Sequence, residues 1–237
     1  MATSSEQPRQ PRQFNRHRLF LGLGRRLLIF VLCLFLPAGT LLWTRGWLFL
    51  LVIVVAFVVG TLYLRRVNPE AIAARIKRRK ATKRWDRIVL AILRPTVLAI
   101  LIVAALDGGR FHWSHVPWWV CVLGYVLLIA GIVGLVWAQS VSKFFEPTVR
   151  IQTDRGHTVI DTGPYALVRH PGYVAASLLN LGMPLSLGSF WALVPSVLLC
   201  LLLVVRTVLE DKTLRNELPG YEGYAQRVRY RLVPGLW

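Results

Sequence analysis

The sequence predicts an all-α integral membrane protein with about six membrane-embedded helical segments. Of its 237 residues, 55% are hydrophobic and 17% are charged, and the mean hydropathy of +0.51 is too high for a soluble globular domain. The apolar residues are gathered into runs long enough to enter or cross a bilayer. Basic residues crowd the ends of these runs, so the formal net charge of +18 indicates membrane topology and not a nucleic-acid-binding surface.

Four apolar runs within residues 27–138 predict four transmembrane helices. They cover about 27–42, 47–64, 88–106 and 116–138. The short polar link at 43–46 is typical of a tight helical hairpin, and the Asp-Gly-Gly-Arg sequence at 107–110 predicts a break after the third helix. Residues 1–26 are polar and rich in arginine, which predicts a basic, flexible arm. Residues 65–87 contain ten Lys or Arg residues and predict a cytoplasmic loop with a short surface helix.

The last part of the chain, residues 139–237, is the predicted catalytic region. It begins with a polar segment, and its apolar stretch at 173–205 is interrupted near residues 187–189, which predicts two helices in a hairpin. Of the 29 Lys and Arg residues, 25 fall on the side of the two termini and of the polar segment. The positive-inside rule therefore places both termini and a cofactor pocket on the cytoplasmic side of the cytoplasmic (inner) membrane.

Residues 163–173 form the densest cluster of turn-forming, aromatic and ionisable residues in the chain. Pro171 directly follows His170, so a structured loop should open here onto a membrane helix. The free amides of such a helix start suit an anionic group, and Tyr165 and Tyr173 would add aromatic walls with hydroxyls. In the alternative interpretation, the tyrosines are interfacial belt residues and His170 is a helix cap. The local pattern leaves both interpretations open.

Arg206 and Glu210 lie on one face of the last membrane helix because they are four residues apart. By themselves they would indicate an intrahelical salt bridge, or an arginine that reaches the lipid headgroups. A functional role is favoured because this helix returns to the side of the His170 loop. The three cysteines, Cys33, Cys121 and Cys200, sit in separate apolar runs, so neither a metal site nor a disulfide is predicted.

Over roughly its last 90 residues, the chain resembles the isoprenylcysteine carboxyl methyltransferase family. The matching motifs are His157-Thr158-Val159-Ile160, Gly163-Pro164-Tyr165, Arg169-His170-Pro171-Gly172-Tyr173, Arg206 with Glu210-Asp211, and Tyr221-x-x-Tyr224-x-x-x-Val228. Upstream, Asn68-Pro69-Glu70 and Lys83-Arg84-Trp85-Asp86 are similar to prokaryotic members of the family. The resemblance implies a membrane enzyme that uses S-adenosylmethionine without a Rossmann-type fold, and no Gly-x-Gly-x-x-Gly fingerprint occurs in the sequence.

Carried over position by position, the resemblance implies a set of site residues. The implied cofactor-binding residues are Gln152, His157, Thr158, Val159, Ile160, Tyr165, His170, Pro171, Gly172, Tyr173 and Glu210. Arg206 is the implied contact for the methyl acceptor, and Arg206 and Glu210 are the predicted catalytic pair. The planar fork of Arg206 could hold a carboxylate, and Glu210 could oppose the positive charge of the cofactor.

The predicted function is transfer of a methyl group from S-adenosylmethionine to a carboxylate on a prenylated or otherwise lipidic acceptor. A carboxylate is already ionised near neutral pH, so the site needs alignment and exclusion of water more than a general base. Two alternatives stay open: phospholipid N-methylation, and a noncatalytic membrane scaffold or carrier that retains a lipid or cofactor pocket. Membrane lipids are expected partners, nucleic acid is not, and the sequence does not predict an oligomeric state.

Overall fold

The computed structural model describes residues 16–70, 72 and 82–237, and every regular element in those ranges is helical. The α-helices are α1 (Arg16–Ala38), α2 (Thr44–Val67), α3 (Arg84–Ala104), α4 (Trp118–Val141), α5 (Pro171–Leu187), α6 (Leu193–Glu217) and α7 (Tyr221–Arg227). A π-helical turn, Ala105–Phe111, extends α3, and two short 3-10 turns lie at Thr153–Arg155 and Gly163–Ala166. The predicted all-α class is therefore confirmed for the described residues.

Four helices are long and apolar enough to cross a membrane. They are α2, α3 with its π-helical turn, α4 and α6. The other two apolar helices are shorter, since α1 is apolar only over Leu27–Ala38 and α5 has 17 residues. The chain is thus a multi-pass integral membrane protein, and the predicted count of six membrane-embedded segments is not confirmed.

Two sequence predictions differ from the described structure. Residues 16–26, assigned to the flexible arm, belong to α1, because this stretch mixes leucine with arginine and contains no proline that would stop a helix. The predicted break at 107–110 is a continuation of α3 by a π-helical turn, which ends where His112 adopts a left-handed conformation (φ 53°). Residues 1–15 of the predicted arm, and residues 71 and 73–81 of the predicted loop, lie outside the described residues.

Close contact between α4 and α5 positions the motif segment. A Cβ atom at Gly131 would lie 2.5 Å from the backbone nitrogen of Leu179, and one at Gly182 would lie 2.5 Å from that of Leu128. Only glycine lets the two backbones approach so closely, and the contact fixes α5, whose first turn follows the motif loop. The chain then reverses at Gly188 (φ 77°) into α6, which packs against α3 and α5.

The long helix α6 has two chemically different sides. Leu201, Val205 and Val208 are exposed along one side, as expected for contact with lipid. Arg206 and Asp211 are buried on the other side. The polar end of α6 therefore faces the inside of the protein, next to the start of α3 and the start of α5.

Candidate active site

A cavity of about 280 Å³ lies where the polar segment 142–173, the last turns of α6 and helix α7 meet. Every site residue predicted from the sequence lines it. They are Gln152, His157, Thr158, Val159, Ile160, Tyr165, His170, Pro171, Gly172, Tyr173, Arg206 and Glu210. The volume lies just below the range of about 300–1,000 Å³ that is usual for small-molecule sites. We call it the site cavity; the structure brings these residues together, and their individual roles stay predictions.

Arg206 is held by an acid that the sequence analysis left without a role. Its Nε and one terminal nitrogen lie 2.9 and 2.8 Å from Asp86 Oδ1, and that same terminal nitrogen donates to the carbonyl of Pro147 at 2.8 Å. The other carboxylate oxygen of Asp86 accepts a hydrogen bond from the Val149 amide at 2.8 Å. Asp86 is 0% exposed and Arg206 is 7% exposed, so this is a buried, hydrogen-bonded ion pair between α3 and α6.

Tyr173 connects Arg206 with Glu210. The Arg206 guanidinium lies over the Tyr173 ring, 5.5 Å from its centroid, and the Tyr173 hydroxyl donates a short hydrogen bond to Glu210. The intrahelical pair between Arg206 and Glu210 that the spacing suggested is replaced by these separate partners.

The three arginines that line the site cavity each have an acidic partner, whereas one of its carboxylates has no basic partner within the ranges that the structure describes. Arg150 pairs with Glu146, and Arg206 with Asp86. Arg169 pairs with Asp211. Among the described residues that line the cavity, Glu210 is the carboxylate that forms no ion pair within 4.0 Å. Glu210 therefore presents a carboxylate without an ion-pair partner to the cavity, which favours a cationic group beside it.

Asp211 joins the motif loop to the C-terminal tail. Its carboxylate is 1% exposed, and five side chains surround it. These are Arg169 (2.8 Å), His170 (3.3 Å), Tyr221 (3.0 Å), Arg215 (3.3 Å) and Arg231 (3.0 Å). Two come from the motif loop, two from the tail beyond α6, and one from α6 itself. The buried carboxylate thus fixes two distant parts of the chain against each other.

Helix α7 covers the site cavity from the side of the tail. The Tyr224 hydroxyl donates to the carbonyl of Tyr165 at 2.7 Å, and Tyr221 donates to Asp211. Burial, together with the charge of Asp211, raises the pKa of Tyr221, and burial raises the pKa of Tyr224. Both hydroxyls therefore keep their protons and act as donors near neutral pH. An exposed pair between Arg227 and Asp161 (2.9 Å) adds a further contact.

Gln152 and His157 support the wall of the site cavity by contacts of their own. The Gln152 side-chain nitrogen donates to the Phe144 carbonyl at 2.6 Å, and its oxygen accepts from Arg155 at 2.8 Å. The backbone N–H of Gln152 donates to Nδ1 of His157 at 3.3 Å. The centroids of the His157 and Phe144 rings are 4.5 Å apart. Both polar ends of the Gln152 side chain are already bonded within the protein.

We expect His157 to make the protein less stable in mild acid. Burial first, and then the positive charge of Arg150, lower the pKa of His157 from its ordinary value of 6.5. Below pH 6.5, His157 therefore binds a proton more readily in the unfolded chain than in the folded protein. The free energy of unfolding consequently falls as the pH falls. Between pH 7.5 and pH 5, the melting temperature should fall more steeply for the native protein than for His157→Gln. Parallel curves would contradict this assignment.

Three buried charged residues at the site were not among the predicted site residues. Asp86 and Arg169 stand within motifs that the sequence analysis singled out, and Asp211 follows Glu210 directly. The sequence signal for Asp86 was its place in the Lys83–Asp86 motif, but nothing in the chain order indicates that it meets Arg206, 120 residues away. Only the packing of α3 against α6 brings the two together.

Fold and site together define a multi-pass helical membrane protein with a polar, tyrosine-covered cavity at one end of its helices. The isoprenylcysteine carboxyl methyltransferase family model matches residues 117–216. The match covers less than half of the 237 residues, and it bears out the resemblance to that family seen in the motifs. The match supports a membrane methyltransferase of the isoprenylcysteine carboxyl methyltransferase type. A search of curated protein sequences finds no match.

Proposed function

We propose that the protein transfers a methyl group from S-adenosylmethionine to the carboxylate of a prenylated or otherwise lipidic acceptor at the cytoplasmic face of the inner membrane. The observation that carries this proposal is the position of Tyr173, which contacts both Arg206 and Glu210 within one cavity. The family match over residues 117–216 supports the methyltransferase activity, and the basic residues at this end of the helices support the cytoplasmic orientation.

The lining of the site cavity fits the cofactor. S-adenosylmethionine, when bound, supplies a methyl group on a positively charged sulfonium. Glu210 provides a carboxylate without an ion-pair partner to oppose that charge, and Phe145 and Tyr173 provide aromatic walls. His170 and Pro171 begin α5 at the cavity wall, where the Gly172 amide and the positive end of the helix suit the carboxylate of an amino acid.

Arg206 is placed to bind and orient the acceptor. Asp86 and Pro147 occupy its Nε and one terminal nitrogen, so the hydrogens of the other terminal nitrogen are available to a carboxylate. Because Asp86 and the Val149 amide fix the guanidinium, little side-chain entropy is lost when an acceptor binds. An ionised acceptor needs no proton removed, and covering by α7 excludes water from the reacting atoms.

Two observations favour phospholipid N-methylation as the second candidate. Asp86 neutralises Arg206, and Glu210 is a carboxylate without an ion-pair partner, which suits an ammonium acceptor. Glu210 would then serve as the general base that accepts the proton of the ammonium.

The decisive experiment supplies purified protein with methyl-labelled S-adenosylmethionine and either a prenylcysteine analogue or phosphatidylethanolamine. We expect a labelled product on the prenylcysteine that releases methanol in base, as an ester does. A base-stable label on phosphatidylethanolamine would establish N-methylation instead. Cofactor binding without transfer to any component of a membrane extract would favour the scaffold or carrier alternative.

Glu210→Gln should weaken the binding of S-adenosylmethionine by roughly 10- to 100-fold, because a hydrogen bond or charge contact to an ionised group is worth about 1.5–3 kcal/mol. Isothermal calorimetry measures this directly. Glu217→Gln is the matched control, since Glu217 lies in the same helix and pairs with the exposed Lys83. Equal affinity of Glu210→Gln and the native protein would remove Glu210 from the cofactor site.

A further inference from the structure

A second cavity, of about 800 Å³, lies at the other end of the helices. It is formed by the link between α1 and α2, the π-helical turn after α3, and the loop that leads into α4. These connections join the helix ends that point away from the site cavity, so the two cavities open at opposite faces of the membrane. We call it the distal cavity.

Hydrogen-bond donors dominate the distal cavity. Arg45, His112 and His115 line it, and none of the described lining residues is acidic. An arginine is always charged, and an imidazole donates from at least one nitrogen in either protonation state. In the described part of the chain, Arg45 forms neither a hydrogen bond nor an ion pair, although its guanidinium lies against the backbone of Gly188.

Trp43 lies in the wall of the distal cavity and carries an unsatisfied donor. It lines the cavity and is 7% exposed, and its indole N–H is buried without a hydrogen-bond partner. Such unpartnered buried donors are rare in folded proteins, because each costs free energy. Trp43 also precedes the first turn of α2 and offers that turn no side-chain cap, so free backbone amides add to the donors.

The nearest acid does not cancel these donors. Asp107 is completely buried behind the cavity wall. Its carboxylate accepts hydrogen bonds from the amide and hydroxyl of Ser114 (2.7 and 2.6 Å), from the Ser189 hydroxyl (2.6 Å) and from the Trp191 amide (3.4 Å). These bonds fasten the π-helical turn to the α5–α6 connection, so the donor-rich wall is held in place.

Exposed tryptophans indicate the depth at which the distal cavity lies in the membrane. Trp47, Trp113, Trp118, Trp119 and Trp191 are between 47% and 76% exposed, and all lie at this end of the helices. Exposed tryptophans concentrate at the level of the lipid headgroups. The distal cavity is thus at the depth where the phosphates of the lipids lie.

We propose that the distal cavity binds a phosphate-type anion, the headgroup of a lipid with net negative charge, through Arg45, His112 and His115. The proposal is independent of the methyltransferase function, since it concerns the opposite membrane face. The same chemistry would hold a free phosphate ion, so the experiment must separate the two sources.

The test is the melting temperature of the purified full-length protein in an uncharged detergent, titrated with three probes. These are short-chain phosphatidylglycerol, phosphatidylcholine of the same chain length, and inorganic phosphate. Phosphatidylglycerol should raise the melting temperature by roughly 5 °C at saturation, and phosphatidylcholine should raise it much less. An equal shift with inorganic phosphate would support the anion site and identify its ligand as the free ion.

Arg45→Gln and, separately, His115→Gln should abolish the shift. Arg110→Gln is the matched control, because Arg110 is exposed at the same end but lies over the Phe111 ring and does not line the cavity. The proposal is wrong if phosphatidylcholine stabilises the protein as well as phosphatidylglycerol does, if no probe stabilises it, or if both variants keep the full shift.

Discussion

Asp86→Asn should lower the rate of methyl transfer by about 100-fold, the loss that a misplacement of about 1 Å in a catalytic group produces. In the native protein, Asp86 holds the Arg206 guanidinium by two nitrogens and is itself held by the Val149 amide. Without that carboxylate charge, Arg206 loses its fixed position over the Tyr173 ring. The rate is measured with saturating cofactor and acceptor, so that a loss of binding does not obscure the effect.

A double-mutant cycle with Arg206→Gln tests whether Asp86 acts through Arg206. If it does, Asp86→Asn should change the rate by less than about twofold in the Arg206→Gln background, because coupled residues are not additive. Each single variant should lose about 3–5 kcal/mol of stability by leaving a buried charge unpaired, and the double variant should regain part of it. Multiplicative losses of rate would show that Asp86 acts independently.

The exposed pair between Lys83 and Glu217 is the control for this cycle. It joins the same two helices, α3 and α6, at 2.6 Å, but both side chains are partly open to solvent. Removing it should cost at most about 1 kcal/mol and leave the rate unchanged. The control therefore separates loss of helix contact from loss of the buried pair. A single substitution of Arg206 would not be decisive, since it leaves Asp86 unpaired as well as removing the acceptor contact.

Asp211→Asn should destabilise the protein by about 3–5 kcal/mol, since it removes the charge that five side chains surround. The tail should lose its attachment to the motif loop, because Tyr221 and Arg231 are bonded to this carboxylate. Cofactor affinity should fall as well, because α7 would no longer cover the site cavity. Each 1.4 kcal/mol that this covering contributes to cofactor binding corresponds to about a 10-fold loss of affinity.

Denaturant unfolding and limited trypsin digestion measure the two effects separately. Arg227 and Arg229 lie in or next to α7, so cleavage there should accelerate in Asp211→Asn. Glu222→Gln is the matched control, because Glu222 pairs with Arg215 at the exposed surface, at 2.7 Å, and does not reach Asp211. Native stability together with native digestion rates in Asp211→Asn would refute the linking role of this carboxylate.

The residues that line the site cavity were implied by the family resemblance, whereas hydropathy and motif order were sufficient to predict the helical membrane class and the C-terminal hairpin. Each of these depends on local sequence: apolar runs define helices, and a proline after His170 marks the start of α5. The cavity could be anticipated because α6 must return to the side from which α5 began.

The side-chain partners could not be predicted in the same way. Spacing alone paired Arg206 with Glu210, whereas packing of α3 against α6 gives Arg206 the more distant Asp86. The glycines at 108 and 109 suggested a break, but Asp107 and its serine partners hold the chain in a π-helical turn. In both cases a contact between residues far apart in the chain outweighs a local preference.

The two-sided character of α6 has a kinetic consequence. Leu201 and Val205 are exposed on its outer side, as expected for contact with lipid, while Arg206 and Asp211 on its inner side face the cavity and the tail. A hydrophobic acceptor diffuses in two dimensions and its supply depends on its mole fraction in the bilayer, whereas a water-soluble cofactor is supplied from bulk solution. Diluting the acceptor within its bilayer by inert lipid, while its total concentration in the sample stays constant, should therefore slow turnover. Adding separate vesicles that the acceptor cannot enter should not slow turnover.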